Sequence, residues 1–116
     1  KIRRKIAKAY LDKITNKKIK LPKMPLNETS HVWHLFVIRT QKRNDLREYL
    51  LNNDIQVLIH YPLSPHKQKA YKEWHNLSYP ISEKIHEEVL SLPISGIQSM
   101  DDTKKIINKL NTWTIK

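Results

Sequence analysis

Residues 58–71 read Leu-Ile-His-Tyr-Pro-Leu-Ser-Pro-His-Lys-Gln-Lys-Ala-Tyr, and this stretch decides most of what the sequence predicts about fold and function. The residues that lead into it are mostly β-branched or bulky, which favours a strand over residues 55–61. Pro62 cannot donate a hydrogen bond to a sheet, so this strand should end before it. Side chains at the junction of a strand and a loop can project into a cleft while the sheet holds them still. The stretch places two imidazoles, two phenols, an amide and two ammonium groups at this junction, so we expect it to bind a ligand.

Apolar periodicity and turn residues on either side of this stretch predict the remaining elements. They are a helix over residues 2–14, a strand over 31–40, a helix over 44–51 capped by Asn44, a short helix over 66–74, a helix over 82–90, a strand over 91–95, and a last helix that begins after Ser99 and includes Trp113. The strand over 31–40 is apolar almost throughout, so we expect a central strand covered on both faces. The order predicts an α+β fold with a three-stranded, mostly antiparallel sheet and about four helices in a single domain, residues 1–116.

Three single positions carry further expectations. Trp33 and Trp113 should lie in the core, because each falls within an apolar pattern. Asp54 follows a helix where the chain must turn, and aspartate tolerates the left-handed conformation better than most residues. We also expect an exposed apolar surface, formed either by Ile6, Tyr10 and Ile14 of the first helix or by the loop around His60.

The chain is strongly basic, with 22 Lys and Arg residues against 11 Asp and Glu residues and a formal net charge of +11. Three interpretations remain open: a solvated basic surface, an attraction for a diphosphate ligand near Lys67 and Lys69, and nucleic-acid binding. The absence of cysteine excludes disulfides and thiolate metal sites and is typical of a reducing compartment such as the cytoplasm. No apolar run is long enough to span a membrane.

The six histidines do not predict a metal site. His31 and His34 are three apart on a predicted strand, so their side chains should face opposite ways, and no carboxylate cluster completes a coordination shell. His75 and His86 are expected at the surface. For His60, two roles stay open: a histidine at the edge of the core bonded to backbone, or a contact to a sugar hydroxyl or phosphate oxygen. Tyr61 has the same two interpretations.

Three segments in order resemble one enzyme family. Residues 31–36 read His-Val-Trp-His-Leu-Phe, residues 60–71 place His60-Tyr61-Pro62 before His66, Gln68 and Tyr71, and residues 88–93 read Glu-Val-Leu-Ser-Leu-Pro. This arrangement resembles the C-terminal part of the DegT/DnrJ/EryC1/StrS sugar-nucleotide aminotransferases, and the branch that makes lipopolysaccharide sugars in particular. Asp54 departs from the family pattern, in which most members carry glycine.

The resemblance implies the small C-terminal domain of an aspartate-aminotransferase-type (fold type I) enzyme whose pyridoxal phosphate (PLP) domain is absent from this chain. It implies a homodimeric cytoplasmic parent that moves an amino group from glutamate to a dTDP-linked keto-6-deoxyhexose, with C3 preferred over C4. The implied substrate-binding residues are His60, Tyr61 and His66, with His34 supporting them. No catalytic, cofactor-binding or metal-binding residue is carried over, and we expect the isolated chain to be inactive and to bind no PLP. The alternative function is a basic nucleic-acid or anion-binding module without enzymatic activity.

Overall fold

Four helices and two strands, connected by long irregular segments, make up the computed structural model, which describes residues 1–114. In chain order the elements are α1 (Ile2–Lys13), β1 (Phe36–Arg39), α2 (Arg43–Leu51), α3 (Pro80–Glu88), β2 (Val89–Leu92) and α4 (Met100–Thr112). Two 3-10 turns, Pro65–Lys67 and Lys69–Trp74, replace the short helix predicted over residues 66–74. None of the helices in the described part of the chain is long and apolar enough to cross a membrane.

The sheet has two antiparallel strands, and the expectation of three is wrong. Phe36 pairs with Leu92, and the register continues to Arg39 opposite Val89. The segment predicted as a strand over residues 55–61 forms only an isolated bridge, from Leu58 to Ser91 of β2. The backbone N–H of Ile55 is already used, because it donates to Leu50 at the end of α2. The segment between the end of α2 and Pro62 is therefore too short to form a regular strand beside β2.

β1 is much shorter than the strand predicted over residues 31–40. Trp33 has a φ of 52°, in the left-handed region, so the chain turns there instead of extending. The N–H of Trp33 donates to Nδ1 of His31 at 2.8 Å, which satisfies it without a partner strand. Within β1, buried residues alternate with half-buried ones, whereas all four residues of β2 are buried. The strand covered on both faces is thus β2, and the expectation of that role for β1 is wrong.

α1 packs with α4 over one face of the sheet, and its apolar stripe is covered. Ile6, Tyr10 and Ile14 are all buried, so the expectation that these residues form an exposed apolar surface is wrong. The Tyr10 hydroxyl donates to the carbonyl oxygen of Pro93 at 2.7 Å, and burial raises the pKa of this phenol to about 12. Exposed apolar side chains are found on the other candidate surface, the loop that follows Leu58.

Backbone angles and short-range hydrogen bonds determine where the remaining helices begin and end. Asp54 has a φ of 59°, which confirms the left-handed turn after α2. Ser99 caps α4 by accepting the N–H of Asp102 at 3.0 Å, as predicted. Asn44 does not cap α2: the helix begins one residue earlier, and the Asn44 side chain accepts a hydrogen bond from Arg43. α3 ends at Glu88 instead of continuing to residue 90, because the next residues enter β2.

The core lies between the sheet and the helices α1, α2 and α4. Phe36 is fully buried against the rings of Tyr10 and Trp33, with centroids 5.0 and 5.4 Å away. Trp33 and Trp113 are both buried, which confirms their expected place in the core. Since directly paired residues of antiparallel strands share a face, Phe36 and Leu92 point into this core, while Val37 and Ser91 point to the opposite face.

Candidate functional site

A long loop, residues 60–79, carries most of the predicted site residues and is called the histidine loop below. Nε2 of His66 lies 2.7 Å from Oε1 of Glu83 on α3, and the His66 ring is only 4% exposed. Nδ1 of His86, also on α3, donates to the carbonyl oxygen of Tyr61. Residues three apart on a helix share a face, so Glu83 and His86 hold the loop from the same side. α3 thereby fixes both the start and the middle of the histidine loop.

His60 is held from the sheet. Its Nδ1 lies 2.9 Å from Oγ of Ser91, a buried residue in the middle of β2. The backbone of Ser91 also exchanges two hydrogen bonds with Leu58, at 2.8 and 3.3 Å, so the segment just before His60 is fixed to the same residue. Within residues 1–114, Nε2 of His60 has no hydrogen-bond partner. Ser91 therefore orients the ring and leaves its other nitrogen available.

Tyr61 lies at the surface beside this ring. Its side chain is 63% exposed, and its ring meets the His60 ring edge-on with centroids 5.6 Å apart. A phenol hydroxyl can donate and accept, and an imidazole nitrogen can do either according to its tautomer. The pair can thus bond the hydroxyl groups of a sugar or the oxygens of a phosphate.

Lys67 closes the histidine loop on itself. Its ammonium group donates to the carbonyl oxygens of His75 at 2.8 Å and Leu77 at 3.1 Å. Lys69 is exposed. These two hydrogen bonds hold the Lys67 ammonium group but do not neutralise its charge, because both acceptors are neutral carbonyl oxygens. The predicted diphosphate contact near Lys67 and Lys69 stays a prediction.

His34 lies apart from the other three predicted residues. It is exposed in the irregular segment before β1, and in the described part of the chain it makes no hydrogen bond or ring contact with His60, Tyr61 or His66. The structure thus brings His60 and Tyr61 together, encloses His66 within the loop against α3, and leaves His34 separate.

The residues that position the site, Ser91, Glu83 and His86, were not predicted from the sequence. The sequence contained a feature that pointed to Ser91, since it is the one polar residue in the apolar run Val89–Leu92 and a buried hydroxyl requires a partner. No such feature pointed to Glu83, because a glutamate on a surface helix is ordinary. His86 was expected to be a plain surface residue, yet it is half-buried and bonded to the loop.

The carboxylate of Glu83 gives the loop a pH dependence. The hydrogen bond from His66, and then the one from the Tyr79 N–H, hold the pKa of Glu83 below its usual 4.5. A carboxylate whose pKa is depressed by folding stabilises the fold above its unfolded pKa, and this contribution is lost as the pH falls through the folded value. The side chain is one-third exposed, so solvent screens part of the effect.

We expect Glu83→Gln to destabilise the protein near pH 6 and to do so less near pH 3, because the contribution of ionised Glu83 is lost as the pH falls through its depressed pKa. Urea unfolding of both proteins at several pH values measures the difference. Glu87→Gln, a neighbouring exposed carboxylate on α3, serves as the control and should change stability little at any pH. A difference for Glu83→Gln that is the same at both pH values would contradict the assignment.

The described residues, 1–114, do not fit a PLP site. A lysine that binds this cofactor must be desolvated or otherwise activated. Within residues 1–114 no lysine is buried: Lys67 and Lys109 are half-buried and the others are exposed, and the Lys67 ammonium group is bonded to two loop carbonyls. The described residues also hold no group of three or more histidine, aspartate and glutamate side chains placed to bind a metal ion.

Comparison with known sequences establishes the class of protein. The sequence model of the DegT/DnrJ/EryC1/StrS aminotransferase family matches residues 1–111. The chain belongs to this family, and the resemblance drawn from the three motifs is confirmed.

The chain is similar to individual members of the family over almost its whole length. The chain is 49% identical over 111 residues to the dTDP-3-amino-3,6-dideoxy-alpha-D-galactopyranose transaminase of Aneurinibacillus thermoaerophilus. The matched region covers 96% of this chain and 30% of that protein. DesV from Streptomyces venezuelae superposes with a TM-score of 0.86 at 32% identity, covering 97% of this chain and 31% of DesV. NtdA from Bacillus subtilis, solved with bound cofactor PMP, superposes with a TM-score of 0.80 at 27% identity, covering 93% of this chain and 26% of NtdA. The chain thus spans between about a quarter and a third of the length of these relatives.

Proposed function

We propose that this chain is the small C-terminal domain of a PLP-dependent aminotransferase that moves an amino group from glutamate to a dTDP-linked keto-6-deoxyhexose. The observation that carries the proposal is the pairing of His60 and Tyr61 at the surface of a family domain that is 49% identical to a dTDP-sugar transaminase. The name of that relative places the amino group at C3, which supports C3 as the position aminated here. Use of the product in lipopolysaccharide or another surface polysaccharide is part of the proposal.

The remainder of the proposed enzyme supplies what this domain lacks. PLP, when bound there, carries the amino group between the two substrates. We propose that its lysine and phosphate site belong to a large domain outside this chain and that the enzyme acts as a homodimer. The bound PMP of NtdA supports the cofactor assignment. The cytoplasmic location stays a prediction.

Within this domain, each site residue has a distinct proposed role. The Tyr61 hydroxyl and Nε2 of His60 bond the sugar nucleotide, and its negatively charged diphosphate gives the stronger bonds because charge-assisted hydrogen bonds exceed neutral ones. His66 fixes the shape of the loop through Glu83 in addition to any contact of its own. His34 contributes from the segment before β1, where its exposure leaves it free to meet substrate.

Tyr61→Phe in the complete enzyme tests the proposal. We expect the KM for the sugar nucleotide to rise about tenfold, because one hydrogen bond to a charged group is lost, while the half-reaction with glutamate stays near wild type. Tyr71→Phe is the matched control, since it removes a hydroxyl from an exposed tyrosine of the same loop. The 116-residue chain alone is the negative control and should not turn over. If Tyr61→Phe abolishes the glutamate half-reaction, the residue serves the cofactor or the fold and the assignment is wrong.

A further inference from the structure

Basic residues that are scattered in the sequence meet in one open cleft of about 420 Å³. This cleft is called the basic cleft below. Its charged lining residues are Lys17, Lys18, Lys20, Arg39, Lys84 and Glu88. The single carboxylate, Glu88, is already paired with Arg39 at 2.7 Å. Within residues 1–114, none of the four lysines lies within ion-pair distance of a carboxylate. Four lysines thus line one cleft without an ion-paired carboxylate of their own in the described part of the chain.

Hydrogen bonds hold the segments that form the basic cleft in place. Lys20 and Arg39 exchange two of them, at 2.8 and 2.9 Å, which ties the lysine segment to β1. The N–H of Thr40 donates to the carbonyl oxygen of Glu88 at 3.1 Å, which ties the end of β1 to the end of α3. The side chain of Asn16 donates to the carbonyl oxygens of Leu110 at 2.8 Å and Trp113 at 3.0 Å, which anchors the turn that bears the lysines to the end of α4. The backbone that carries these charges is therefore fixed by the fold.

The basic cleft is separate from the histidine loop, although both use α3. Lys84 and Glu88 are four residues apart and share one face of the helix. Glu83 and His86, which hold the histidine loop, lie on another. A ligand in the basic cleft would therefore occupy a different site from the one proposed for the sugar nucleotide beside Tyr61.

We propose that the basic cleft binds a small anion with two linked phosphate groups, as in inorganic pyrophosphate or a nucleoside diphosphate. The volume is in the range of small-molecule sites. None of the residues 1–114 that line it is aromatic, whereas single-stranded nucleic acid is normally held by stacking on aromatic rings. Lysine is a common phosphate ligand, and the side-chain amide of Gln41, also in the lining, adds a neutral donor. Several adjacent ammonium groups favour a multivalent anion over a single carboxylate.

Titration of the ¹⁵N-labelled chain with inorganic pyrophosphate, followed by amide chemical shifts and calorimetry, tests the proposal. We expect a Kd below about 1 mM, with the largest shifts at Lys17–Lys20, Thr40 and Lys84. The double variant Lys18→Glu, Lys84→Glu should weaken binding at least about tenfold. The matched control, Lys72→Glu with Lys105→Glu, makes the same change in net charge at exposed positions outside the cleft and should retain most of the affinity. Thermal unfolding verifies that all variants are folded.

A second titration with dTDP separates the two sources of diphosphate. Tighter binding of dTDP that the cleft variant also weakens would identify a nucleoside diphosphate, and equal binding would identify the free anion. Absence of pyrophosphate binding, or equal weakening by both double variants, would overturn the proposal, since the first excludes a site and the second shows only a general effect of charge. Tighter binding of a DNA oligonucleotide at the same residues would overturn it in favour of a nucleic-acid surface.

Discussion

Phe36→Ala should lower the free energy of unfolding by about 3–5 kcal/mol, which is a large part of the stability of a small domain. The side chain is fully buried, and its ring lies against those of Tyr10 and Trp33 from two different parts of the chain. Removing it leaves a cavity where α1, β1 and the segment before β1 meet. Because these neighbours are themselves large rings, they cannot close the space by small shifts.

Val37→Ala is the control for this prediction. Val37 is the next residue of β1, points to the opposite face and is only half-buried, so we expect a loss of about 1 kcal/mol or less. Urea unfolding, followed by tryptophan fluorescence, measures both variants. Equal losses for the two variants would show that the core does not lie on the face of the sheet that Phe36 occupies.

His66→Ala should release the histidine loop without unfolding the rest of the domain. The ring fills the inside of the loop, meets the Tyr79 ring edge-on at 4.9 Å and bonds to Glu83, and alanine replaces none of these contacts. The loop is anchored to α3 and to Ser91, not to the main core, so its opening is expected to be local. We expect amide hydrogen exchange across residues 60–79 to accelerate at least about tenfold.

Two further variants make this result specific. His66→Gln retains a side-chain donor for the Glu83 carboxylate and should recover part of the protection. His34→Ala removes an exposed histidine outside the loop and should leave exchange in residues 60–79 unchanged. If exchange in the loop stays at the wild-type rate in His66→Ala, the His66–Glu83 contact is not what holds the loop in place.

The elements that the sequence predicts well are those determined by nearby residues. The helix over residues 2–14 is observed as Ile2–Lys13, since its apolar stripe recurs every four residues and needs no distant information. Ser99 and Asp54 are equally local, because a helix cap and a left-handed turn depend on a few neighbouring atoms. The strand predicted over residues 55–61 is not formed, because a strand needs a partner strand and β propensity does not indicate whether one is available.

The same distinction applies to the candidate site. His60 and Tyr61 are adjacent in sequence, so a motif can place them together. The residues that orient the loop are distant: Ser91 is 31 positions from His60, and Glu83 is 17 positions from His66. The basic cleft was equally hidden, because its lysines lie in two separate segments that only the folded backbone joins.

The direct passage from α3 into β2 has a consequence for protein engineering. Glu88 ends the helix and Val89 begins the strand, with no residue between them. The histidine loop, the helix that holds it and the serine that orients His60 therefore follow one another as a continuous cassette, residues 58–91. A graft that moved residues 60–79 alone into a relative would leave His66 and Tyr61 facing unmatched residues on the recipient's helix. Exchange of the whole cassette would carry the loop together with its supports and keep its geometry intact.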